Sequence, residues 1–344
     1  MKKSINFVVL GDKYEDIIRE LGGKRGTATD IAIYDKKTPE AIYTWTVPIT
    51  FPDKIQPLMQ AVNIAQYAIL NVGKIDRYLG EQILALDALD FRDGFLLHSY
   101  EVDEAKLKIL IKDTSVSHFK LIDTVDQLKY QLSVIKSTES ENSEKIENID
   151  GSGRSRPMTA VIIVIDHAFD VKGVGTVVLG VVKQGTVKVH DLLRVLPYGK
   201  DILVKSIQMH DDPVEQATSP ARVGLAIKGI SADDISRGDI LSPYNDIRVT
   251  QDNLVESSLT TVNSNTVIAA NFHRNPYYKG DFAENQSYLM SLGLQIKPVK
   301  IRNVRNNTIE IVSEKSLVFA HKQRWILLKP DSQGTRIVGQ GMIV

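Results

Sequence analysis

The spacing of apolar residues changes at one polar segment, and this change constrains the fold more than any other feature of the sequence. The segment, STESENSEKIENIDGSGRSR at residues 137–156, is rich in Ser, Glu, Asn and Gly and has almost no apolar residues. Such a composition favours a flexible linker. With 344 residues, the chain is long enough for separate domains on both sides of it. The sequence therefore predicts a domain at residues 1–136, a linker at 137–156 and further domains beyond.

Before the linker, short apolar strands alternate with helical patterns. Strand-like runs such as INFVVLG and AIYTWTV are separated by helical runs such as KIQPLMQAVNIA. This alternation is typical of an α/β domain with a largely parallel sheet. We predict helices near residues 14–21, 54–65, 75–89, 102–112 and 123–135.

After the linker, the apolar period changes to two. TAVIIVIDHAFDV, GTVVLGVV and similar runs rich in Val and Ile are separated by turn signals such as Lys172-Gly173 and Tyr198-Gly199. Regular strands without helical interruption favour a closed barrel, here at residues 157–246. A second β-rich stretch occupies residues 247–344, and its predicted strands are NLVESSLTTV, TVIAANFH, GLQIKPVKI, TIEIVSE, KSLVFAH, RWILLKP and TRIVGQGMIV. The predicted fold class is multidomain, with one α/β domain followed by two β-barrels.

The stretch 165–241 carries the most specific signal in the chain. It contains a K-G-x-G-T-V-V-x-G hairpin, a G-x-V-K-V-x-D turn, a V-x-S-I-Q strand and a final R-G-D-I-L, in that order. These motifs resemble the second domain of the translational GTPases (elongation factor Tu-like proteins), and within that superfamily the archaeal selenocysteine-specific elongation factor. The ending TRIVGQGMIV is similar to the last barrel strand of the family. The resemblance implies that residues 1–136 are a P-loop GTPase-like domain.

A GTPase domain needs a phosphate-binding loop, G-x-x-x-x-G-K-[ST], whose lysine neutralises phosphate and whose hydroxyl holds Mg²⁺. Counted from Gly11, the last three positions of this loop are Asp16, Ile17 and Ile18. A carboxylate replaces the second glycine, and it would repel a phosphate at close range. Two branched apolar residues replace the lysine and the hydroxyl. We therefore expect Ile17 and Ile18 to be packed into the core.

Two further motifs of the family differ at the residues that carry their chemistry. In the first switch segment, KRGTATDI resembles the family pattern Arg-Gly-x-Thr-x-Asp, but Ala28 stands where the Mg²⁺-binding threonine belongs. TVPIT aligns with Asp-x-Pro-Gly-His, which binds the metal water and positions the attacking water. Thr46, Ile49 and Thr50 occupy its aspartate, glycine and histidine positions.

The guanine-reading motif, normally Asn/Thr-Lys-x-Asp, aligns with HSYE. Ser99 replaces the stacking lysine, and Glu101 replaces the aspartate. Four altered motifs predict a degenerate domain that neither binds nor hydrolyses GTP. We accordingly predict that the protein is not an enzyme and holds no cofactor or metal.

The resemblance also implies where an aminoacyl-tRNA would contact the protein. In the selenocysteine factors, the amino-acid pocket on the second domain uses an aspartate followed by a basic residue, completed by an arginine from a later strand. Those positions here are Asp166, His167 and Arg222. Cationic donors suit an ionised selenol. The alternative is a plain ion pair between Asp166 and Arg222 with no role in binding.

The C-terminal third is mildly basic, with twelve Lys and Arg against eight Asp and Glu in residues 246–344. Lys297, Lys300, Arg302 and Arg305 would extend an RNA contact over the third domain. An ordinary solvated surface accounts for the charge equally well.

Three functions fit the sequence. The leading hypothesis is a non-catalytic elongation-factor-like protein that binds tRNA or another RNA and has the translation machinery as a partner. The second is a protein-interaction scaffold or regulatory pseudo-GTPase without RNA binding, and the third is an enzyme with a remodelled nucleotide site. Because the selenocysteine factors carry a further C-terminal domain beyond the region that matches, we do not expect selenocysteine insertion from the resemblance.

The cellular setting is predicted from what the sequence lacks. Its apolar runs, such as residues 160–165, are much shorter than a membrane span, and the apolar run near the start is too short for a secretory signal. The absence of cysteine excludes disulfides and thiolate metal sites. We expect a cytoplasmic protein of archaeal type with neither a membrane nor DNA as a partner; the sequence gives no indication of its oligomeric state.

Overall fold

The computed structural model describes residues 2–144, 161–243, 262–305, 307–320 and 322–344. The chain divides into two compact units, Met1–Met158 and Thr159–Val344. The first unit contains the α/β domain, and the second contains both β-rich regions.

The described part of the first unit is a seven-stranded sheet with five α-helices. The strands are β1 (Lys3–Gly11), β2 (Gly23–Arg25), β3 (Ala32–Lys37), β4 (Ala41–Val47), β5 (Tyr67–Val72), β6 (Gly94–His98) and β7 (Lys120–Ile122). The helices are α1 (Tyr14–Leu21), α2 (Gln56–Ile64), α3 (Arg77–Ala88), α4 (Glu104–Ile111) and α5 (Val125–Glu144). The strand order is β2-β3-β4-β1-β5-β6-β7, parallel from β4 to β7 and antiparallel at β2 and β3. The predicted α/β fold is confirmed.

The centre of this sheet explains the near-continuous apolar runs in the sequence. β1 is paired on both edges, and β4 is buried along its whole length. Strands covered by helices on both faces require apolar side chains at successive positions. Trp45 is 1% exposed, and it joins β1, α1 and α5 in one core cluster.

α5 extends into the segment that was predicted to be the linker. The helix runs to Glu144, whereas the predicted linker begins at residue 137. Residues 137–144 continue a helix that is already nucleated by packed residues upstream, Leu128 and Leu132. The rest of the predicted linker, residues 145–156, lies outside the described residues, as does the predicted domain boundary at 246 and 247.

The first β-rich region of the second unit closes into a barrel. Its strands are β8 (Ile162–Val171), β9 (Gly175–Gln184), β10 (Thr186–Lys188), β11 (Leu192–Leu196), β12 (Lys200–Met209), β13 (Asp212–Val214), β14 (Gln216–Thr218), β15 (Arg222–Lys228) and β16 (Ile240–Pro243). The strand order is β11-β16-β8-β9-β15-β12-β13, and an additional pairing of β11 with β12 closes the ring. β10 and β14 form a separate two-stranded sheet. The predicted closed barrel is confirmed.

Two glycines in this barrel have specific structural causes. Gly173, in the turn between β8 and β9, has φ +83°, a conformation that is unfavourable for residues with a side chain. Gly180 pairs closely with β8, where an added Cβ would lie 2.5 Å from the carbonyl oxygen of Val164.

The second β-rich region is a curled sheet that forms a half-barrel. Its strands are β17 (Val262–Asn271), β18 (His273–Arg274), β19 (Ser287–Leu292), β20 (Gln295–Arg305), β21 (Thr308–Ala320), β22 (Arg324–Leu328) and β23 (Ile337–Met342). The strand order is β17-β21-β20-β19-β22-β23-β18, and an isolated bridge between Ala270 and Ile343 brings its two ends together.

Two strands of this region differ from the sequence prediction. TIEIVSE and KSLVFAH were expected to be separate, but they form the single strand β21, since no turn-forming residue stands between them. β19 was not predicted, although it lies between β20 and β22. Most of the predicted strand NLVESSLTTV lies outside the described residues.

Candidate functional site

The first candidate site is the turn after β1, where a phosphate-binding loop would lie. β1 ends at Gly11 and α1 begins at Tyr14, so two residues separate strand from helix. A phosphate loop wraps its ligand with the backbone that precedes the helix. Here residues 14–18, which would form the second half of that loop, are already helical.

The three altered loop positions follow the geometry of α1. Ile17 is 2% exposed and Ile18 is 1% exposed, and both belong to the core cluster, as predicted from the sequence. Asp16 is exposed in the first helical turn, next to Glu15. Carboxylates are favourable at the positive end of a helix. The protein's own acidic residues therefore stand at the end of α1 where a nucleotide phosphate would be attracted.

The turn after β1 is bonded to the segment that follows β5. The Gly73 backbone N–H donates to Asp12 Oδ1 at 2.7 Å, and Asn71 Nδ2 donates to the Lys13 carbonyl at 2.9 Å. Gly11 has φ +112°, and an added Cβ would lie 1.8 Å from the Asn71 carbonyl oxygen. Gly11 is thus required by local packing, whatever its relation to a phosphate.

The two switch-related motifs contribute apolar side chains and threonine hydroxyl groups. Ala28 and Ile49 are partly buried and pack against the core cluster. Thr46 is fully buried, and its Oγ1 donates to the Phe7 carbonyl at 3.0 Å. Thr50 Oγ1 is buried without a hydrogen-bond partner among the described residues. These four positions hold neither a carboxylate nor an imidazole.

The base-reading positions follow β6. Ser99 is partly buried, and its Oγ lies 3.5 Å from the Gly73 carbonyl oxygen. Glu101 is exposed in the following turn. Across the described ranges, no group of three His, Cys, Asp or Glu side chains is arranged to hold a metal ion.

The second candidate site lies on the first barrel, where a bulge turns Asp166 inward. The register of β8 against β9 shifts between Ile165 and His167, so Asp166 is the additional residue. A bulge re-aims the side chain that it carries. Asp166 is consequently 3% exposed, and Arg222 Nη2 on β15 donates to Asp166 Oδ2. The sequence-predicted ion pair is present.

His167 and a second arginine complete this group of side chains. His167 Nδ1 lies 3.2 Å from Asp166 Oδ1, and Arg237 Nη2 lies 3.1 Å from His167 Nε2. Both contacts are hydrogen bonds when His167 is neutral with the proton on Nδ1. Arg237 Nε also donates to the Asp166 backbone carbonyl at 3.1 Å. We call Asp166, His167, Arg222 and Arg237 the barrel cluster.

The electrostatics of the barrel cluster favour an anion. Burial alone would raise the pKa of Asp166, but the Arg222 guanidinium and hydrogen bonds from His167 and Arg222 outweigh burial and lower the pKa to about 2. Two guanidinium groups, those of Arg222 and Arg237, surround this one ionised carboxylate, so the cluster carries a net positive charge. Arg222 Nη1 is buried and has no hydrogen-bond partner within the part of the chain that the structure describes. The cluster therefore offers spare donors.

Arg237 was missed as a site residue, although it opens the R-G-D-I-L motif. Its position follows from pairing that is distant in sequence: Ile165 N–H donates to the Asp239 carbonyl at 2.9 Å, and Gly238 N–H donates to the Ile165 carbonyl at 2.8 Å. This pairing places Arg237 beside the bulge. The signal available in the sequence was the arginine of the R-G-D-I-L motif, three residues before the last strand of the barrel.

The four basic residues of β20 do not share one face. Lys300 and Arg302 are exposed, on the opposite side of the strand from buried Val299 and Ile301. Arg305 is exposed beyond a register shift at the end of the strand.

Lys297 lies apart from the other three. It has the same strand parity as buried Val299, and its Nζ donates to the Ser316 carbonyl at 2.7 Å. Burial lowers the pKa of Lys297, and nearby Asp239 partly offsets this. The exposed basic set on β20 therefore consists of Lys300, Arg302 and Arg305.

Comparison with known proteins agrees with this architecture. Residues 175–242 match the family model for elongation factor Tu domain 2. An uncharacterized protein of Methanocaldococcus jannaschii is 33% identical over 329 residues, which is 96% of both chains. The selenocysteine-specific elongation factor of the same organism is 31% identical over 200 residues, covering 55% of this chain and 42% of the factor. The chain belongs to the translational GTPase superfamily.

A solved structure shares the fold of this chain. The crystal structure of translation elongation factor SelB from Methanococcus maripaludis, in complex with the GTP analogue GPPNHP, has a TM-score of 0.74 and 21% sequence identity. The similarity covers 99% of this chain and 79% of that chain. Within the described residues, no helix of this superfamily member is long and apolar enough to cross a membrane.

Proposed function

We propose that this protein is a non-catalytic member of the translational GTPase superfamily that binds neither GTP nor GDP. We further propose that it binds tRNA or another RNA through its β-barrels, in the cytoplasm and in a role connected with translation. The observation that carries the proposal is the start of α1 at Tyr14, with Ile17 and Ile18 buried where the superfamily holds lysine and a hydroxyl.

Three features of the first unit support the absence of nucleotide binding. The backbone that would wrap a phosphate is helical, and the turn before it is bonded to Asn71 and Gly73. The positive end of α1 faces its own carboxylates, Glu15 and Asp16. The positions for Mg²⁺, for its bound water and for the residue that positions the attacking water hold Ala28, Thr46 and Thr50, which supply neither a carboxylate nor an imidazole.

We expect no binding of GTP, GDP or ATP in the presence of Mg²⁺. The reason is that buried Ile17 stands at the position of the phosphate-binding lysine, and the backbone that would wrap the phosphate is helical from Tyr14 onward. Isothermal calorimetry at millimolar nucleotide tests this, with thermal unfolding as a second readout because a bound ligand raises the apparent stability. A dissociation constant below about 100 µM, equivalent to about −5.5 kcal/mol, would overturn this part of the proposal.

RNA binding is supported by the two basic features of the second unit. The barrel cluster has net positive charge and a buried guanidinium nitrogen without a partner in the described residues. On the second β-rich region, Lys300 and Arg302 project from one face of β20. A Lys or Arg that contacts phosphate releases counterions, so the affinity of such a contact depends on salt.

We expect the double variant Lys300→Ala/Arg302→Ala to weaken tRNA binding and to flatten its salt dependence. Removing two phosphate contacts should reduce the slope of log K against log salt by about 1.5–2. Fluorescence anisotropy with labelled tRNA at several salt concentrations measures this slope. The variant Lys106→Ala/Lys108→Ala on α4 removes the same charge elsewhere and should leave the slope unchanged.

The salt-dependence measurement also distinguishes the RNA-binding function from the protein-interaction scaffold. If both double variants show the same slope of log K against log salt, β20 does not contact the RNA. If wild-type protein shows no salt-dependent affinity for RNA at all and instead retains a stable protein partner on purification, the interaction scaffold replaces the RNA-binding proposal.

A further inference from the structure

A cavity of about 170 Å³ lies in the first unit, on the face of the sheet that carries α1 and α5. Glu20 and Leu21, the last residues of α1, form one side, and Lys129 and Leu132 of α5 form another. Because α1 starts beside the carboxyl end of β1, its last turn lies toward the opposite end of the sheet. The cavity is therefore separate from the former nucleotide position.

The cavity has an aromatic wall. Tyr43 and Trp45 both line it, and their rings are stacked at 5.9 Å with an interplanar angle of 12°. Phe7 continues the stack behind Trp45 at 6.2 Å. Because the two rings stack on one another and are buried, they offer the cavity mainly ring edges, and an edge-to-face contact with another aromatic ring is favourable.

The indole of Trp45 has an unused donor. Trp45 is 1% exposed, and its Nε1 is buried with no hydrogen-bond partner among the residues that the structure describes. A buried donor usually has an acceptor, supplied by protein, water or ligand. The same residue thus lines a cavity and lacks an acceptor.

Two lysines line the cavity, and within the described ranges only one of them is ion-paired. Lys129 Nζ bonds to Glu20 Oε2 at 2.6 Å and to Asp126 Oδ1 at 3.3 Å, so two carboxylates balance it. Lys36 lines the cavity, is exposed, and forms no ion pair within the described ranges. An anionic group at the cavity mouth would find its counter-ion in Lys36.

We propose that this cavity is a binding site for a small planar carboxylate that carries one aromatic ring. The ring lies against Tyr43 and Trp45, and the carboxylate faces Lys36. The size is appropriate, since an apolar cavity of about 150 Å³ binds benzene. The site does not depend on nucleotide or RNA binding, so it can be tested independently of the function proposed above.

Benzoate is the probe, and the indole N–H signals in ¹H–¹⁵N spectra are the readout. The chain has two tryptophans, Trp45 at the cavity and Trp325 in the second unit, which serves as an internal control. Benzoate should shift the Trp45 signal saturably at millimolar concentration and leave the Trp325 signal in place. Benzyl alcohol, which has the ring without the charge, should bind about fivefold more weakly.

The charge assignment is tested with Lys36→Ala, and the next residue on the strand supplies the control. Because Lys36 is exposed, its loss should not disturb folding. Lys36→Ala should weaken benzoate binding about fivefold and leave benzyl alcohol binding unchanged, whereas Lys37→Ala should change neither. The proposal is overturned if the Trp45 signal does not saturate below about 10 mM benzoate, if both indole signals shift together, or if the two lysine variants behave alike.

Discussion

Arg222→Ala is expected to lower the free energy of unfolding of the second unit by about 3–5 kcal/mol, the range for removing one partner of a buried ion pair. Asp166 is 3% exposed, and Arg222 provides its counter-charge. Without the guanidinium, the carboxylate keeps its burial and retains only the His167 bond to its side chain. Urea denaturation followed by the Trp325 indole N–H signal in ¹H–¹⁵N spectra measures the loss, because Trp325 belongs to the second unit and its signal is separate from that of Trp45.

Arg194→Ala is the matched control for this variant. Arg194 Nε bonds to Asp201 Oδ1 at 2.7 Å, but Asp201 is 62% exposed and water can replace the arginine. An exposed pair contributes about 0–1 kcal/mol, so Arg194→Ala should leave stability nearly unchanged. If the free energy of unfolding falls by a similar amount in both variants, the burial of Asp166 does not determine the loss of stability in Arg222→Ala.

The pH dependence gives an independent test of the same ion pair. The pKa of Asp166 is lowered to about 2 in the folded protein, below its ordinary value near 3.9. A lowered folded pKa contributes stability that is present above pH 4 and is lost as the pH falls toward 2. By linkage, this contribution is about 2–3 kcal/mol. In Arg222→Ala, burial remains while the main opposing charge is gone, so the pKa of Asp166 should rise. The stability difference between wild type and variant should therefore narrow as the pH falls below about 4.

Local patterns were sufficient to predict much of the fold and one decisive part of the site. Buried parallel strands need apolar residues at successive positions, which made β1 and β4 recognisable. The packing of Ile17 and Ile18 followed from their type, because two branched apolar residues on a short helix next to a buried strand face the core. These predictions depended on neighbours within a few residues.

What could not be predicted depends on contacts between distant parts of the chain. The inward orientation of Asp166 requires a bulge in the pairing of β8 with β9, and alternation alone does not locate a bulge. Arg237 reaches His167 because β8 pairs with a segment about 70 residues later in sequence. The same reason applies to Lys297: its sequence neighbours are exposed or buried as alternation predicts, but its own partner comes from β21.

Restoring the phosphate-loop sequence should destabilise the first unit rather than create a nucleotide site. The triple variant Asp16→Gly/Ile17→Lys/Ile18→Thr supplies the missing glycine, lysine and hydroxyl. Ile17 and Ile18 are at most 2% exposed, so an ammonium group and a hydroxyl would enter the apolar core without partners. Burying unpaired polar and charged groups costs several kcal/mol, which is comparable with the whole stability of a domain of about 5–15 kcal/mol. Circular dichroism and calorimetry with GTP and Mg²⁺ are the measurements.

Asp16→Gly alone is the control, since Asp16 is exposed and the change should cost only about 0.3 kcal/mol through helix propensity. The triple variant and Asp16→Gly should differ in stability because of the helical backbone of α1. As long as residues 14–18 are helical, position 17 faces the core, and a lysine there cannot reach a phosphate. Nucleotide binding would require the first turns of α1 to unwind. Unwinding would expose Leu21 and the side chain at position 18 to solvent. A folded triple variant that binds GTP would show that the helical start of α1 is not what excludes nucleotide, and that side-chain identity alone removed the site.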